Sequence, residues 1–431
     1  MSAAGSSAAP VPPVLLPDTA SFDDHGRLSI GGCDLLDLAA EFGTPVFVYD
    51  EAHLRARCAE AVGVFGPGNV VYATKAFLCR AMARLALDEG LRLDVATGGE
   101  LEVALAAGAP PERIVLHGNN KSTAELERAL GVGVGRVVVD SSDELDRIEA
   151  VVASGAEPPR VLLRVNPGIE VHTHEHVQTG ILDSKFGFPL STGQADEALQ
   201  RAAASPAVDL VGLHLHIGSQ VFSVENFAEG LRAVAPFVRS AGLPELVVGG
   251  GLGVAYVAGE HAPSLTEWGD AVLRVCAEEG VEAEVSAEPG RAVVASAAVT
   301  LYTVGTVKFI PGVRTYVAVD GGMSDNPRPV LYDSGYETFL PRAAASRRDL
   351  PVRLVGKHCE SGDLLVRDGM LPADVSVGDV VATPVTGAYG HSMGSNYNKV
   401  PRPPVVFVRD GTARLVVRRE TIEDLLATDL G

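Results

Sequence analysis

The feature that most restricts this chain is a rhythm: short β-branched runs alternate with longer amphipathic segments, eight times in succession. The runs are NVVYATK (69–75), LRLDVA (91–96), RIVLHG (113–118), RVVVD (136–140), RVLLRVN (160–166), VDLVGLHLHIG (208–218), ELVVGGG (245–251) and VEAEVSAEPGR (281–291). Segments between them, such as AFLCRAMARLALDEG, KSTAELERALGVG and VENFAEGLRAVAPFVRSAG, carry apolar residues at three- and four-residue spacing and end in glycine. Successive βα units build a parallel sheet, and a count that reaches eight before the rhythm stops favours a closed (β/α)8 TIM barrel over an open doubly wound sheet.

Beyond residue 303 the runs VTLYTVGTVKFI, RTYVAVDGG, PVRLVGKHCE, VGDVVATPV and PVVFVRDGTARLVVRR follow one another with turns and almost no helix between them. A separate C-terminal β domain over 303–431 is therefore expected after a barrel over 45–302. The early run TPVFVYD could serve either domain. Residues 1–20, rich in Ala, Ser and Pro, read as a disordered tail.

Hydrophobic residues make up 46% of the 431 and charged ones 21%, enough to bury one large core or two moderate ones. The 55 acidic residues outnumber 35 Lys and Arg, and a net charge of -20 repels nucleic acid and anionic membrane surfaces. The N-terminus lacks the basic region of a signal peptide, and no apolar run suffices to span a bilayer, so a soluble cytoplasmic protein is expected. The five cysteines are scattered without CxxC spacing, so each should be a free thiol.

In a barrel the reacting groups gather where strands end, on loops held by a rigid scaffold. Those ends carry Lys75, Asp94, His117 with Asn119 and Asn120, Asn166, His214 with His216, Gly249, Gly250 and Gly251, and Glu288 with Arg291. An ammonium at position 75 would sit in the barrel mouth, where desolvation favours the nucleophilic free amine that a Schiff base needs; a lysine snorkelling to solvent is the bland alternative. Three glycines let backbone N–H groups approach an anion, with Ser219 and Arg291 as further donors, although such a run is as often a plain turn. Glu288 could hold a pyridine nitrogen protonated, and His216 could stack on that ring or be a hydrogen-bonded core histidine.

His172, His174 and His176 alternate as on one strand face, but the HExxH signature is missing and no metal is expected. Cys359 lies beside Glu360 in a turn-like HCESGD, and the glycines around Tyr389 in GAYG expose its hydroxyl. An isolated cysteine is usually a small, inert apolar residue.

From GTPVFVYD near residue 43 to GAYG at 390, the ordered motifs, among them YATKA, DVATGGELEVALAAG, HGNNKS, TGILDSKFGF, HLHIGSQ, GGGLGVAY, EPGR, GGMSDNPRPVLY and CESGD, closely resemble those of diaminopimelate decarboxylases. These are fold type III, alanine-racemase-like enzymes that use pyridoxal 5'-phosphate. The resemblance implies a β domain completed by an N-terminal segment (21–44) and a homodimer with shared active sites. It implies that Lys75 binds the cofactor, that His216 stacks on its ring and that Glu288 pairs with its nitrogen. Ser219, Gly249, Gly250, Gly251, Gly290, Arg291 and Tyr389 would surround the phosphate. It assigns Arg291, Arg328, Tyr332 and Tyr389 to the substrate, Glu360 from the partner subunit to an ammonium, and Cys359 to proton donation. Thr74 stands where an aliphatic or aromatic residue is expected. The implied reaction converts meso-diaminopimelate at its D-centre to L-lysine and carbon dioxide, the last step of lysine biosynthesis. A sister decarboxylase of ornithine, arginine or carboxynorspermidine is the enzymatic alternative, and a silent cofactor-binding homologue the non-enzymatic one.

Overall fold

The computed structural model describes residues 9–168 and 183–431. The chain divides into two compact units: residues 57–254 with 262–292, and residues 1–56 with 255–261 and 293–431.

The first unit contains the eight expected strands: β1 (Val71–Ala73), β2 (Arg92–Val95), β3 (Ile114–Leu116), β4 (Arg136–Val139), β5 (Arg160–Asn166), β6 (Asp209–Leu215), β7 (Glu245–Gly249) and β8 (Glu284–Glu288). Each is parallel to the next. A parallel bridge between Val70 and Ala287 brings the last strand back to the first, with the Ala287 N–H donating to the Asn69 carbonyl (2.9 Å) and the Ala73 N–H to that of Pro289 (3.2 Å). Val71, Val115, Val138, Leu162, Val211 and Val247 form one buried cluster. Side chains from six strands meet only at a common axis, so this layer fills the barrel.

The helices start where the sequence supplies caps. Ser122 and Glu125 form a reciprocal capping box before Thr123–Val132, as do Ser264 and Glu267 before Leu265–Glu278. Thr97 caps Gly98–Ala106.

The second unit is built on Ala298–Ile310, which pairs antiparallel with Val46–Asp50, Arg314–Val319 and Val380–Pro384. Val46–Asp50, the VFVYD of TPVFVYD, lies in this sheet between Ala298–Ile310 and Val405–Arg409, although the span expected for the barrel, 45–302, includes it. All five of its residues are buried, so both faces of this strand are covered. Leu364–Leu371 is an additional strand against Leu350–Val355, hidden in the sequence because Arg367, Asp368 and Gly369 break its apolar run.

The expected tail is shorter than 1–20. Val11, Leu15 and Leu16 are buried, and Val11 and Leu16 join the apolar cluster of Leu28, Ile30, Val48 and Val299. The apolar residues of VPPVLL gain more by burial than a solvated tail retains in freedom. Among the described residues no helix is long and apolar enough to cross a membrane.

Candidate functional site

The ends of the barrel strands carry two groups of side chains. The first surrounds Glu288, the last residue of β8. Its Oε1 lies 2.9 Å from His117 Nε2 and its Oε2 2.8 Å from His214 Nε2, while Asp94 Oδ1 is 3.9 Å from His117 Nε2. The imidazoles stand edge to face, with centroids 5.0 Å apart. All four residues are buried.

Charge in this cluster follows from who touches whom. Burial would push the Glu288 carboxyl up, yet the two imidazoles hold it well below its ordinary range. Burial pushes His117 down, but the Asp94 and Glu288 carboxylates outweigh it, and the ring is held above its ordinary value. His214 is pushed down to about 4, by burial foremost. Geometry agrees, because His214 Nδ1 is buried without a hydrogen-bond partner among the described residues. A neutral ring with its proton on Nε2 serves Glu288 and leaves only a lone pair unsatisfied, whereas a charged ring would bury an orphaned N–H. Burial likewise raises Asp94. The result is an ionised carboxylate aligned by two fixed donors.

The second group lines the neighbouring rim. Lys75 follows β1 on a short 3-10 turn, Thr74–Ala76, whose Thr74 hydroxyl donates to the Asp94 carbonyl (2.6 Å). Its side chain is exposed rather than desolvated as the sequence suggested, because it leaves the strand on this turn at the open end of the barrel. Among the described residues it makes no hydrogen bond. His216 is half-buried, and burial together with the nearby Lys75 and Arg164 charges keeps it neutral.

The glycines have a packing reason of their own. A methyl group at Gly250 would collide with the Glu288 carbonyl oxygen, and one at Gly251, whose φ is +111°, with that of Gly218; at Gly249 it would lie 2.6 Å from His216 Nδ1. At Gly290 it would lie 3.0 Å from the Ala73 Cβ. Crowded strand ends demand glycine, and glycine leaves their backbone bare. Arg291 Nη2 donates to Ser219 Oγ (3.1 Å), bringing those two predicted residues together.

The remaining predicted residues lie in the second unit. Arg328 begins the short helix Arg328–Tyr332. It is 5% exposed, donates through Nη1 to the Tyr336 hydroxyl (2.7 Å), and lies 4.3 Å over the Tyr256 ring. No carboxylate among the described residues pairs with it. Tyr332 is half-buried, and Cys359 and Glu360 are exposed. Tyr389 is half-buried with φ at +59°, a strained value for a non-glycine residue.

Sequence reasoning gave His117 and His214 no role, although both end strands, and missed Tyr256 and Tyr336, the aromatic walls about Arg328. Their motifs, GVAY and SGYE, flank predicted ones, but nothing in the order of residues shows which ring meets which cation. His172, His174 and His176 lie outside the described residues.

The sequence profile of the pyridoxal-dependent decarboxylases, pyridoxal-binding domain, matches residues 51–295. The chain belongs to that family. It is 50% identical over 415 residues to a protein of Actinosynnema pretiosum subsp. auranticum named diaminopimelate decarboxylase, covering 94% of this chain and 93% of that one. It is 44% identical over 438 residues to the Mycobacterium tuberculosis H37Rv protein of that name, covering 97% and 98%. A crystal structure of diaminopimelate decarboxylase from M. jannaschii superposes with a TM-score of 0.89 at 33% identity, over 96% of this chain and 98% of that one.

The residues present fit the family's cofactor. An amine stands at the barrel mouth, a carboxylate is held ionised in the same unit, and a glycine run with Arg291 and Ser219 offers donors to a phosphate.

Proposed function

We propose that this protein decarboxylates meso-diaminopimelate at its D-centre, giving L-lysine and carbon dioxide, with pyridoxal phosphate bound at Lys75. The observation that carries the choice of substrate is Arg328. A buried guanidinium without a carboxylate partner among the described residues is costly unless a ligand brings the anion. Meso-diaminopimelate brings a second carboxylate on its distal carbon; ornithine and arginine have none. The near full-length likeness to diaminopimelate decarboxylases, one of them solved in complex with L-lysine, supports the same substrate.

Pyridoxal phosphate, when bound, supplies an electron sink for the pair left as a carboxylate departs. This chain's residues do the rest. Lys75 provides the amine that binds the cofactor. Glu288, kept ionised by His117 and His214, would hold a proton on the ring nitrogen of the bound cofactor, and His216 would stack on that ring. Ser219, Gly249, Gly250, Gly251, Gly290, Arg291 and Tyr389 hold the phosphate. Arg328, with Arg291, Tyr332 and Tyr389, binds the distal carboxylate; bidentate geometry suits arginine to that task. Glu360 binds the distal ammonium and Cys359 returns a proton to the carbon.

The protein acts as a cytoplasmic homodimer in which Cys359 and Glu360 of each chain serve the other chain's site. Their exposure on the isolated chain supports that assignment. The test is L-lysine release from meso-diaminopimelate alongside ornithine and arginine. Turnover confined to the first is expected; preference for either of the others would overturn the reading.

A further inference from the structure

A single buried carboxylate ties together two loops that carry proposed substrate and proton-donor residues. Asp363 Oδ1 accepts the Met323 N–H at 2.6 Å, and Oδ2 accepts the His358 N–H at 2.8 Å. Met323 belongs to the Gly321–Asn326 loop that leads into Arg328, and His358 immediately precedes Cys359 and Glu360. An aspartate serving only its own turn bonds within a few residues, whereas this one reaches forty positions back along the chain.

Other contacts close the same seam. The Lys357 N–H donates to the Gly321 carbonyl at 2.9 Å. His358 bridges Ser324 Oγ (2.8 Å) and Asn398 Oδ1 (3.2 Å), and the Cys359 N–H also reaches Asn398 Oδ1 at 3.3 Å. The Cys359 backbone is thus anchored while its side chain stays exposed. The base of the seam is firm as well: the Asp325 carboxyl accepts the Tyr302 hydroxyl and the Gly322 N–H, each at 2.8 Å.

The sequence leaves room for this carboxylate on both sides. A methyl group at Gly322 would lie 2.6 Å from Asp363 Oδ1, and one at Gly356 would collide with Oδ2. Neither glycine has a positive φ, so the missing side chain, not backbone freedom, is what these positions require.

We infer that Asp363 is a positioning residue for the Cys359–Glu360 loop, fixing the proton donor and the ammonium-binding carboxylate in the pose in which they enter the partner subunit's site. This rests on the shared-dimer reading above. The substitution Asp363→Asn keeps the shape but offers one good acceptor to two N–H donors, so one bond is lost whichever way the amide turns.

The experiment mixes homodimers under demonstrated subunit exchange. Asp363→Asn alone is expected to lower kcat by about tenfold or more through loss of donor alignment. Mixed with Lys75→Ala, it should recover about a quarter of wild-type activity, because half the dimers are mixed and one of their two sites has both an intact lysine and an intact donor loop. Lys75→Ala with Cys359→Ala is the control and should recover about the same quarter. If the control fails, the shared-site reading falls. If the control recovers and the Asp363→Asn mixture does not, or if Asp363→Asn leaves kcat unchanged, the positioning role falls. Should Asp363→Asn not fold, Gly322→Ala, which displaces the same carboxylate, takes its place with the same two expectations.

Discussion

His214→Gln isolates the protonation state on which the Glu288 cluster depends. The amide can donate to Glu288 where Nε2 now does, but it binds no proton. In the wild type the ring titrates at about 4, against an ordinary 6.5. The unfolded chain therefore takes up a proton below pH ~6.5 that the folded chain refuses until about pH 4, and stability must fall as the pH drops through that window. A displacement of roughly 2.5 units corresponds to about 3 kcal/mol in full, of which roughly 2.5 kcal/mol is lost by pH ~4.5. Above pH ~6.5 this contribution is constant. His117, Asp94 and Arg164 face the same cluster in both proteins, so the difference between wild type and variant reports on His214. The assay is calorimetric unfolding of both cofactor-free proteins between pH ~4.5 and ~8, where the wild type should lose about 5–10 °C more of Tm than the variant over the acid half. Parallel curves would refute the neutral, Nε2-protonated assignment.

Other expectations follow from single contacts. Asp325 is buried and its carboxyl pushed up to about 7 by burial, so its stabilising contribution is lost as pH rises from about 4 through 7; Asp325→Asn should raise Tm at pH ~8 relative to wild type but not at pH ~4, and equal shifts at both would contradict this. Lys121 Nζ donates to Glu144 Oε1 (2.6 Å) and to the carbonyls of Gly118 (2.7 Å) and Val138 (2.6 Å), so Lys121→Met strands a buried carboxylate and should cost about 3–5 kcal/mol in denaturant titration. Adding Glu144→Gln should restore part of that loss; no restoration would remove the pair as its cause. Arg328→Met should raise KM for meso-diaminopimelate by about a hundredfold or more while leaving cofactor affinity unchanged, and an unaltered KM would take Arg328 out of the substrate site.

The barrel was legible because each strand is a short β-branched run and each intervening helix announces itself by period and cap; Ser122 with Glu125, three residues apart, carries the cap signature in the order of residues alone. Val46–Asp50 was not assignable, since a five-residue buried strand looks alike in either sheet and its partners, Ala298–Ile310 and Val405–Arg409, lie hundreds of positions away. The same limit applies to the site. Lys75, Glu288 and the glycines stand at strand ends and could be named one by one, but the meeting of His117 and His214 on opposite oxygens of Glu288 comes only from closure of the barrel, which sets β3 and β6 facing β8. Arg328 could be named from its motif; that Tyr256 and Tyr336 flank it, with no acid paired to it among the described residues, required the fold.

Lys75 carries the whole assignment, and borohydride reduction of the cofactor-loaded protein followed by peptide mass mapping tests it most directly. A reduced phosphopyridoxyl group on the peptide containing Lys75, absent from Lys75→Ala along with L-lysine release, is the predicted result. The same group found on any of the other five lysines, or full turnover by Lys75→Ala, would contradict it.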